Sequence, residues 1–266
     1  MITIDVKKIA LIAALALAAA QPSPSFAWGK TGHRVTGAIA EHYIKAKTRS
    51  AVEAILGPET LAEASTWPDF MRADVTPFWQ RTASPWHYVT VPAGHTYTIG
   101  DAPAEGDAVS ALAHFASTVR DRHAPLADRR LALRFIIHIV GDLHQPLHAG
   151  NGTDRGANDV AVTFFGQATN LHAVWDSGLI DQEQLAFTEM ASWLNARITP
   201  QLATQWNNPD PLVWIAESAA LREQIYPATT SLSARYVFEH QEQLNTRLEQ
   251  AGVRLAAYLN WLFSAR

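Results

Sequence analysis

An almost entirely apolar helical segment that contains two titratable side chains is the feature that most constrains this fold. Residues 128–144 carry apolar side chains on every side of a predicted helix: Leu131, Phe135, Ile136, Ile139, Val140 and Leu143. A helix that is apolar all round is normally buried all round, so this segment predicts the central helix of the protein. His138 and Asp142 lie within it, and their polar groups need a compensating partner when buried.

The spacing of His138 and Asp142 favours a metal site. At about 100° per residue, positions four apart lie roughly 40° apart on one helix face, where both side chains can reach one ion. His144 lies about 200° round from Asp142 and cannot join them from the same regular helix. Because Asp142 and His148 flank it, His144 is instead expected to support a ligand by a hydrogen bond.

A second pair with the same spacing, His172 and Asp176, follows later in the chain. His148, released from the apolar helix by Pro146, can complete a three-ligand zinc site with this pair and leave one coordination position open. The alternative is an ordinary hydrogen-bonded pair, which is the commoner meaning of a single His/Asp pair. Two such pairs, one of them in an apolar helix, favour metal binding because buried charge must be compensated.

The remaining pattern predicts an all-α fold with one small β-hairpin. Helical periodicity covers residues 28–49, 52–56, 108–122 and most of the chain after residue 185, ending in a long closing helix. Residues 89–107 predict a loop, and residues 160–165 are the one convincing strand. Four tryptophans in helical segments are expected in the core: Trp193, Trp206, Trp214 and Trp261. No linker is visible, so residues 28–266 are expected to form a single domain.

Residues 1–27 have the order of a secretory signal peptide. Lys7 and Lys8 precede an uncharged apolar run over residues 9–20, and small residues at Ser25 and Ala27 fit a cleavage site that leaves Trp28 as the mature start. As a helix the apolar run spans about 18 Å, well short of the roughly 30 Å hydrocarbon core. We therefore expect a periplasmic or secreted protein without a stable membrane anchor.

The formal net charge of −4 argues against a protein that grips duplex DNA through a basic surface. A polyanionic substrate would need local positive charge, such as bound metal. The chain has no cysteine, so an exported protein of this sequence depends on its core or on metal ions rather than on disulfides.

Several motifs stand in the order seen in one family. They are Trp28-Gly29-Lys30-Thr31-Gly32-His33, Trp67-Pro68-Asp69 followed by Arg72, Trp86-His87-Tyr88, the segment from His138 to His148, the glycine-containing loop that ends at Asn158, and the segment from Asn170 to Asp176. Together they resemble the trinuclear-zinc, single-strand-preferring nucleases of the S-one and P-one type, which are distantly similar to zinc-dependent phospholipases C. The ordered match covers residues 28–176.

The resemblance implies three Zn²⁺ ions and their ligands. The first ion is assigned to Asp69, His87, His138 and Asp142, the second to His148, His172 and Asp176, and the third to His33, a bridging Asp142 and the amino and carbonyl groups of Trp28. Cleavage before Trp28 would create the amine that the third ion needs.

The resemblance also assigns roles at the substrate. It implies that Asp69 orients the attacking water, that Arg72 meets charge on the phosphoryl oxygens, that Asn158 touches the scissile phosphate, and that Tyr88 stacks on a base. A planar guanidinium suits phosphate, and stacking tolerates any unpaired base. This chain departs from the family pattern at Ala157, where a second glycine is usual, and at Thr90, where fungal members carry an aspartate.

We therefore expect a monomeric endonuclease that cleaves single-stranded DNA and RNA to 5′-phosphorylated products and also acts as a 3′-nucleotidase on nucleotides. Two alternatives are a zinc-dependent phospholipase C on the same scaffold, which would need a lipid-facing apolar rim, and a non-catalytic exported zinc-binding protein, which would need neither Arg72 nor an open coordination position.

Overall fold

The computed structural model describes residues 28–264, so the predicted signal peptide lies outside the described residues. The α-helices are α1 Lys30–Ala40, α2 Ala46–Leu56, α3 Leu61–Ala64, α4 Trp67–Met71, α5 Ala108–Arg120, α6 Leu126–Asp142, α7 Leu171–Ala173, α8 Leu179–Gln182, α9 Phe187–Arg197, α10 Pro200–Trp206, α11 Pro211–Ile225 and α12 Ala234–Leu262. Short π-helical turns lie at Phe78–Thr82 and Val174–Gly178, and 3-10 turns lie at Ser84–His87, Ile99–Asp101 and Pro146–His148. The mostly helical class is confirmed.

Helix α6 is the central helix, as its all-round apolar pattern predicts. Its last eight residues, from Phe135 to Asp142, are all buried. Burying each large aliphatic or aromatic side chain contributes about 1.5–3 kcal/mol, which offsets the cost of carrying two polar groups into the interior. Helices α2, α4, α5 and α12 pack around α6, and α12 packs against α1.

The segment predicted as one helix over residues 28–49 is two helices, α1 and α2, with a break at residues 41–45. The break is held by one side chain of α12: the Asn260 amide donates to the Tyr43 carbonyl at 3.2 Å and accepts from the Lys45 N–H at 2.9 Å. A long-range contact therefore interrupts a segment whose local pattern favours a continuous helix.

The predicted hairpin is present, and it belongs to a slightly larger sheet. Strands β3 Ala161–Phe164 and β4 Gln167–Asn170 pair antiparallel around a two-residue turn, Phe165-Gly166, with φ of 47° and 80°. Strand β5 Ser231–Leu232 adds to β3 in parallel.

A second, two-stranded sheet was not predicted, and it positions part of the site. Strand β1 Val89–Thr90 pairs in parallel with β2 Ala149–Gly150. His87 comes just before β1 and His148 just before β2, so this pairing brings the two histidines together although the predicted loop contained β1.

The core prediction for the tryptophans is half right. Trp206 and Trp214 are buried, but Trp193 and Trp261 are 57% and 41% exposed. Both exposed rings lie on helices with a solvent-facing side, and Trp261 is covered on one face by the Arg120 guanidinium, 4.1 Å from the ring centroid. Within residues 28–264, no helix combines the length and apolarity needed to cross a bilayer.

Candidate metal centre

Eight buried side chains from separate parts of the chain meet in two adjoining groups. The Asp142 group comprises His33, Asp69, His87, His138 and Asp142, and the Asp176 group comprises His148, His172 and Asp176. They contain three sets whose ligand atoms all lie within 4.8 Å of one another: His33, His138 and Asp142; Asp69, His87 and His138; and His148, His172 and Asp176. The structure thus brings together all eight side chains that the sequence singled out as metal ligands.

Asp142 lies at the middle of its group. Its Oδ1 is 3.2 Å from Nε2 of His33, and its Oδ2 is 3.2 Å from Nε2 of His138 and 3.1 Å from Nδ1 of His87. The four-residue spacing on α6 therefore does place His138 and Asp142 on one face. The other ligands arrive from α1, α4 and the 3-10 turn Ser84–His87, none of which neighbours α6 in sequence.

The approach of His33 to α6 depends on Gly141. A Cβ built on Gly141 would lie 2.9 Å from Nδ1 of His33, too close for any side chain there. The bare helix surface lets the imidazole of His33 stack on that of His138, with ring centroids 4.0 Å apart. Glycine at this position is therefore part of the site.

In the Asp176 group, His172 and Asp176 share a face as their spacing predicts, although the segment is not a regular α-helix. Helix α7 passes into the π-helical turn Val174–Gly178, and Nε2 of His172 lies 3.2 Å from Oδ2 of Asp176. Nε2 of His148 lies 3.2 Å from Nε2 of His172. Tetrahedral zinc with Zn–N bonds of about 2.0–2.1 Å would set two ligand nitrogens roughly 3.3 Å apart.

Three of the histidines are oriented by backbone carbonyls. Nδ1 of His138 donates to Ser65 at 2.7 Å, Nδ1 of His148 to His87 at 2.6 Å, and Nδ1 of His172 to Gly156 at 2.5 Å. A carbonyl oxygen only accepts, so Nδ1 carries the hydrogen and Nε2 is directed to the group in each case. This is the arrangement that fixes the tautomer of metal-binding histidines.

Several polar atoms in the groups lack hydrogen bonds. Among the described residues, Nε2 of His33, Oδ1 of Asp69 and Oδ1 of Asp142 are buried without a hydrogen bond, although the His33 and Asp142 atoms are 3.2 Å apart, because they are not aligned for one. A buried polar atom without a partner costs about 1–3 kcal/mol, so their convergence on one volume indicates a shared ligand there. A divalent cation fits this donor set of imidazole and carboxylate groups.

The protonation of the groups also shows that their carboxylates need positive charge. Burial lowers the pKa of His138, but Asp142 and Asp69 outweigh burial and raise it to about 9. Burial, with the help of His172, lowers the pKa of His148 to about 4. A proton on His138 offsets part of the charge of the two carboxylates, and metal ions would replace such a proton on binding.

Trp28 lies against the Asp142 group. Its side chain is fully buried, and Cβ atoms built on Gly32 and Gly141 would lie 3.0 and 3.8 Å from it. The next residue links it to the Asp176 group, since the N–H of Gly29 donates to the carbonyl of Asp176 at 2.6 Å. The first described residue is therefore located beside both groups.

A cavity of about 400 Å³ opens onto the groups. Its lining contains His87, His148 and His172 together with three residues singled out for substrate: Arg72, Tyr88 and Asn158. Nη1 of Arg72 lies 3.7 Å from Oδ1 of Asp69, and Tyr88 is 47% exposed. Thr90 also lines this cavity.

One side of the cavity is formed by residues 150–159, which we call the rim loop. Arg155, Gly156 and Ala157 have consecutive positive φ values of 54°, 64° and 63°. Gly156 is required because a Cβ there would lie 2.5 Å from the carbonyl oxygen of Leu147. Ala157 adopts a left-handed conformation that glycine favours, at a cost of about 1–2 kcal/mol.

The sequence did not single out Gln145, which is fully buried behind the Asp176 group. Its Nε2 donates to Oδ1 of Asp176 at 2.5 Å, and its Oε1 accepts from the N–H of Leu147 at 2.5 Å. Its position in the sequence between two candidate ligands, Asp142 and His148, could have indicated that it supports a metal ligand. His144 does not support a ligand as expected: its Nδ1 donates to the Val140 carbonyl, and its ring packs on Trp214.

Comparison with known proteins agrees with this arrangement. A family model described as S1/P1 Nuclease matches residues 28–264. The chain is 28% identical to nuclease S1 of Aspergillus oryzae over 287 aligned residues, covering 95% of the chain and 97% of that protein. It is 30% identical to endonuclease 4 of Arabidopsis thaliana over 276 residues, 90% of each chain, and 26% identical to nuclease P1 of Penicillium citrinum over 266 residues, 88% of the chain and 97% of that protein. The chain therefore belongs to the S1/P1 nuclease family and is a hydrolase that acts on phosphodiester bonds.

Proposed function

We propose that this protein is an exported zinc-dependent endonuclease that hydrolyses single-stranded DNA and RNA to 5′-phosphorylated products and also removes 3′-phosphates from nucleotides. It acts as a monomer, in a periplasm or outside the cell, after residues 1–27 are removed as a signal peptide. The observation that carries the proposal is that two buried metal-binding groups open onto a cavity lined by Arg72, Tyr88 and Asn158. The start of the family match at Trp28 supports cleavage before that residue.

Three zinc ions suit the donor sets. Asp69, His87, His138 and Asp142 would hold the first; His148, His172 and Asp176 the second; and His33, Asp142 and the backbone amino and carbonyl groups of Trp28 the third. Imidazole and carboxylate ligands suit zinc, and backbone carbonyls orient three of the histidines. Bound zinc supplies Lewis-acid stabilisation of phosphoryl charge and lowers the pKa of water to about 7.

The side chains at the cavity have complementary tasks. Oδ1 of Asp69 lies 3.7 Å from both Nη1 of Arg72 and Nε2 of His138, so this carboxylate of the Asp142 group is next to an arginine that lines the cavity. It orients the attacking water by accepting a hydrogen bond. Arg72 donates to the phosphoryl oxygens, and Asn158, whose Nδ2 already donates one hydrogen to the Arg155 carbonyl, directs its second amide hydrogen to the same phosphate.

The preference for single strands rests on Tyr88. Its half-exposed ring lines the cavity, where an unpaired base can stack on it. A base inside a duplex is already stacked on its neighbours and would have to leave the helix to do so. Stacking contributes about 1–3 kcal/mol per base and tolerates any base identity.

The test begins with the full chain expressed with its leader and purified from the exported fraction. Mass spectrometry should give a chain starting at Trp28, and metal analysis should give three zinc ions per chain. The protein should hydrolyse denatured DNA and RNA much faster than duplex DNA, and chelation should abolish activity. Preferential hydrolysis of phosphatidylcholine would favour a phospholipase C, and three zinc ions without hydrolysis of any phosphodiester would favour a zinc-binding protein.

The role of the Trp28 amine is tested separately by inserting one alanine between the leader and Trp28. The processed variant should bind two zinc ions and lose most activity, because the amine is displaced by one residue. Full activity with three zinc ions would contradict that ligand assignment while leaving the nuclease assignment intact.

A further inference from the structure

We propose that Arg155 is a second phosphate-binding residue that selects oligonucleotides over small phosphodiesters, and that Asp159 is a built-in competitor for its guanidinium. The inference rests on the proposed nuclease function. It deepens that function by naming a contact to a phosphate next to the scissile one.

Arg155 belongs to the cavity wall. It lines the cavity from the rim loop, its side chain is 74% exposed, and it stands apart from Arg72, which enters from the segment after α4. Apart from three histidines, Arg72 and Arg155 are the titratable side chains with a positive charge that line the cavity, and among the described residues no carboxylate lines it. In a chain of net charge −4, this is a local environment suited to an anionic ligand.

Backbone geometry and hydrogen bonds of the rim loop fix the position of the Arg155 main chain. It adopts a φ of 54° that non-glycine residues avoid, and its carbonyl accepts from Nδ2 of Asn158 at 2.8 Å. Asp154 holds the same turn through Oδ1, which accepts from the N–H of Ala157 at 2.8 Å. The next carbonyl, that of Gly156, orients His172. The loop therefore ties Arg155 rigidly to the Asp176 group while leaving its side chain in solvent.

The guanidinium is only partly engaged. Nε lies 3.0 Å from both carboxylate oxygens of Asp159, and Nη2 lies 2.6 Å from Oδ1. Nη1 makes no hydrogen bond to any residue of the described chain 28–264. Asp159 is itself 49% exposed, and an exposed ion pair of this kind is worth little in water. A phosphate can therefore bind Nη1 directly or displace the carboxylate from the fork.

The size of the cavity indicates which phosphate this is. A volume of about 400 Å³ is at the small end for ligand sites, so an oligonucleotide must continue across the rim. The scissile phosphate is assigned to Arg72 and Asn158 at the metal groups. Arg155, at the rim, is then available to a neighbouring phosphate, which a small diester does not have.

The chain offers a closely matched control. Arg235 forms an exposed pair with Glu239 at the same four-residue spacing, with side-chain exposures of 79% and 42%, but it does not line the cavity. Comparing Arg155→Ala with Arg235→Ala separates loss of a cavity cation from loss of a surface ion pair.

The experiment measures kcat/KM of the zinc-loaded protein on a single-stranded oligonucleotide and on bis(4-nitrophenyl) phosphate. Arg155→Ala should reduce the oligonucleotide value at least about tenfold more than the diester value, mainly through KM, whereas Arg235→Ala should change neither. The slope of log kcat/KM against log salt should become shallower by about 0.7, the value for one phosphate contact on a single strand. Asp159→Asn should lower KM for the oligonucleotide severalfold.

Equal losses on both substrates, or an Arg155→Ala variant that behaves like Arg235→Ala, would overturn the inference. Arg155→Gly covers the case in which alanine disturbs the loop, because glycine accepts the positive φ. It should lose the oligonucleotide preference with an unchanged Tm, and retention of the preference would contradict a phosphate contact. A wild-type protein that hydrolyses neither substrate would instead refute the proposed function.

Discussion

Gln145 provides a sharp test of the proposed metal centre, because it contacts a ligand without facing the cavity. Its amide joins Oδ1 of Asp176 to the N–H of Leu147 through two hydrogen bonds of 2.5 Å. With Oδ1 held from behind, Oδ2 of Asp176 is directed toward His172, 3.2 Å away. Gln145 is thus a positioning residue for the carboxylate.

The informative substitution is Gln145→Glu. Glutamate keeps an oxygen that accepts from the N–H of Leu147, so the 3-10 turn that carries His148 remains supported. It cannot donate to Asp176 when ionised, and it sets a second buried negative charge beside the first. Losing a partner of a metal ligand typically reduces metal affinity about 10- to 100-fold, or roughly 1.4–2.7 kcal/mol. We expect zinc affinity to fall by that factor at the Asp176 group.

The assay is competition between the protein and a chelator of known affinity, with metal content read after equilibration. Gln224→Glu is the control: Gln224 is exposed on α11 and donates to the Ala220 carbonyl at 3.1 Å, remote from both metal-binding groups. The Tm of the metal-stripped Gln145→Glu variant reports any separate packing defect. If Gln145→Glu and Gln224→Glu retain zinc equally, Gln145 does not position Asp176 for a metal ion.

Three further predictions address the loop, the cavity and the stability of the fold. Gly156→Ala should lower stability by about 1–3 kcal/mol more than Gly166→Ala, because both glycines have positive φ but only the first faces the Leu147 carbonyl, and Tm measurements compare them. Tyr88→Ala should raise KM for single-stranded DNA about 5- to 150-fold, while equal KM values would exclude base stacking. Burial raises the pKa of Glu249 from 4.5 to about 7. The free energy of unfolding is therefore highest, as far as this group is concerned, below pH 4.5, and the difference is lost as the pH rises through 7. Glu249→Gln should therefore be more stable than wild type at pH 8 by on the order of 2 kcal/mol, with little difference at pH 4.5, and parallel pH profiles of the two proteins in denaturant unfolding would count against this reasoning.

The spacing of residues along the sequence predicted much of the candidate metal centre. The two pairs four residues apart, His138 with Asp142 and His172 with Asp176, could be recognised because positions one helical turn apart must share a face. The central position of α6 was predicted from its apolar side chains, because a helix that is apolar on every side is buried on every side. The ordered motifs then indicated the family from residues alone.

The contacts between distant segments could not be read in this way. Sequence spacing did not predict the parallel pairing of β1 with β2, the interruption of a helix by Asn260, or the partner of Gln145. Exposure of Trp193 depends on which side of α9 the rest of the molecule covers, and a helical pattern alone does not decide that.

The amino-acid sequence by itself determined the helical class, the apolar core helix, the candidate ligands and the family. The family resemblance predicted that His87 and Asp142 share an ion, but only the tertiary structure decided how they meet across 55 residues, with Nδ1 of His87 3.1 Å from Oδ2 of Asp142. Only the tertiary structure decided that the carbonyl of Ser65 orients His138 across 73 residues. The physical reason is that a turn of helix fixes neighbours through backbone geometry, whereas contacts across the chain depend on how all the apolar faces pack at once.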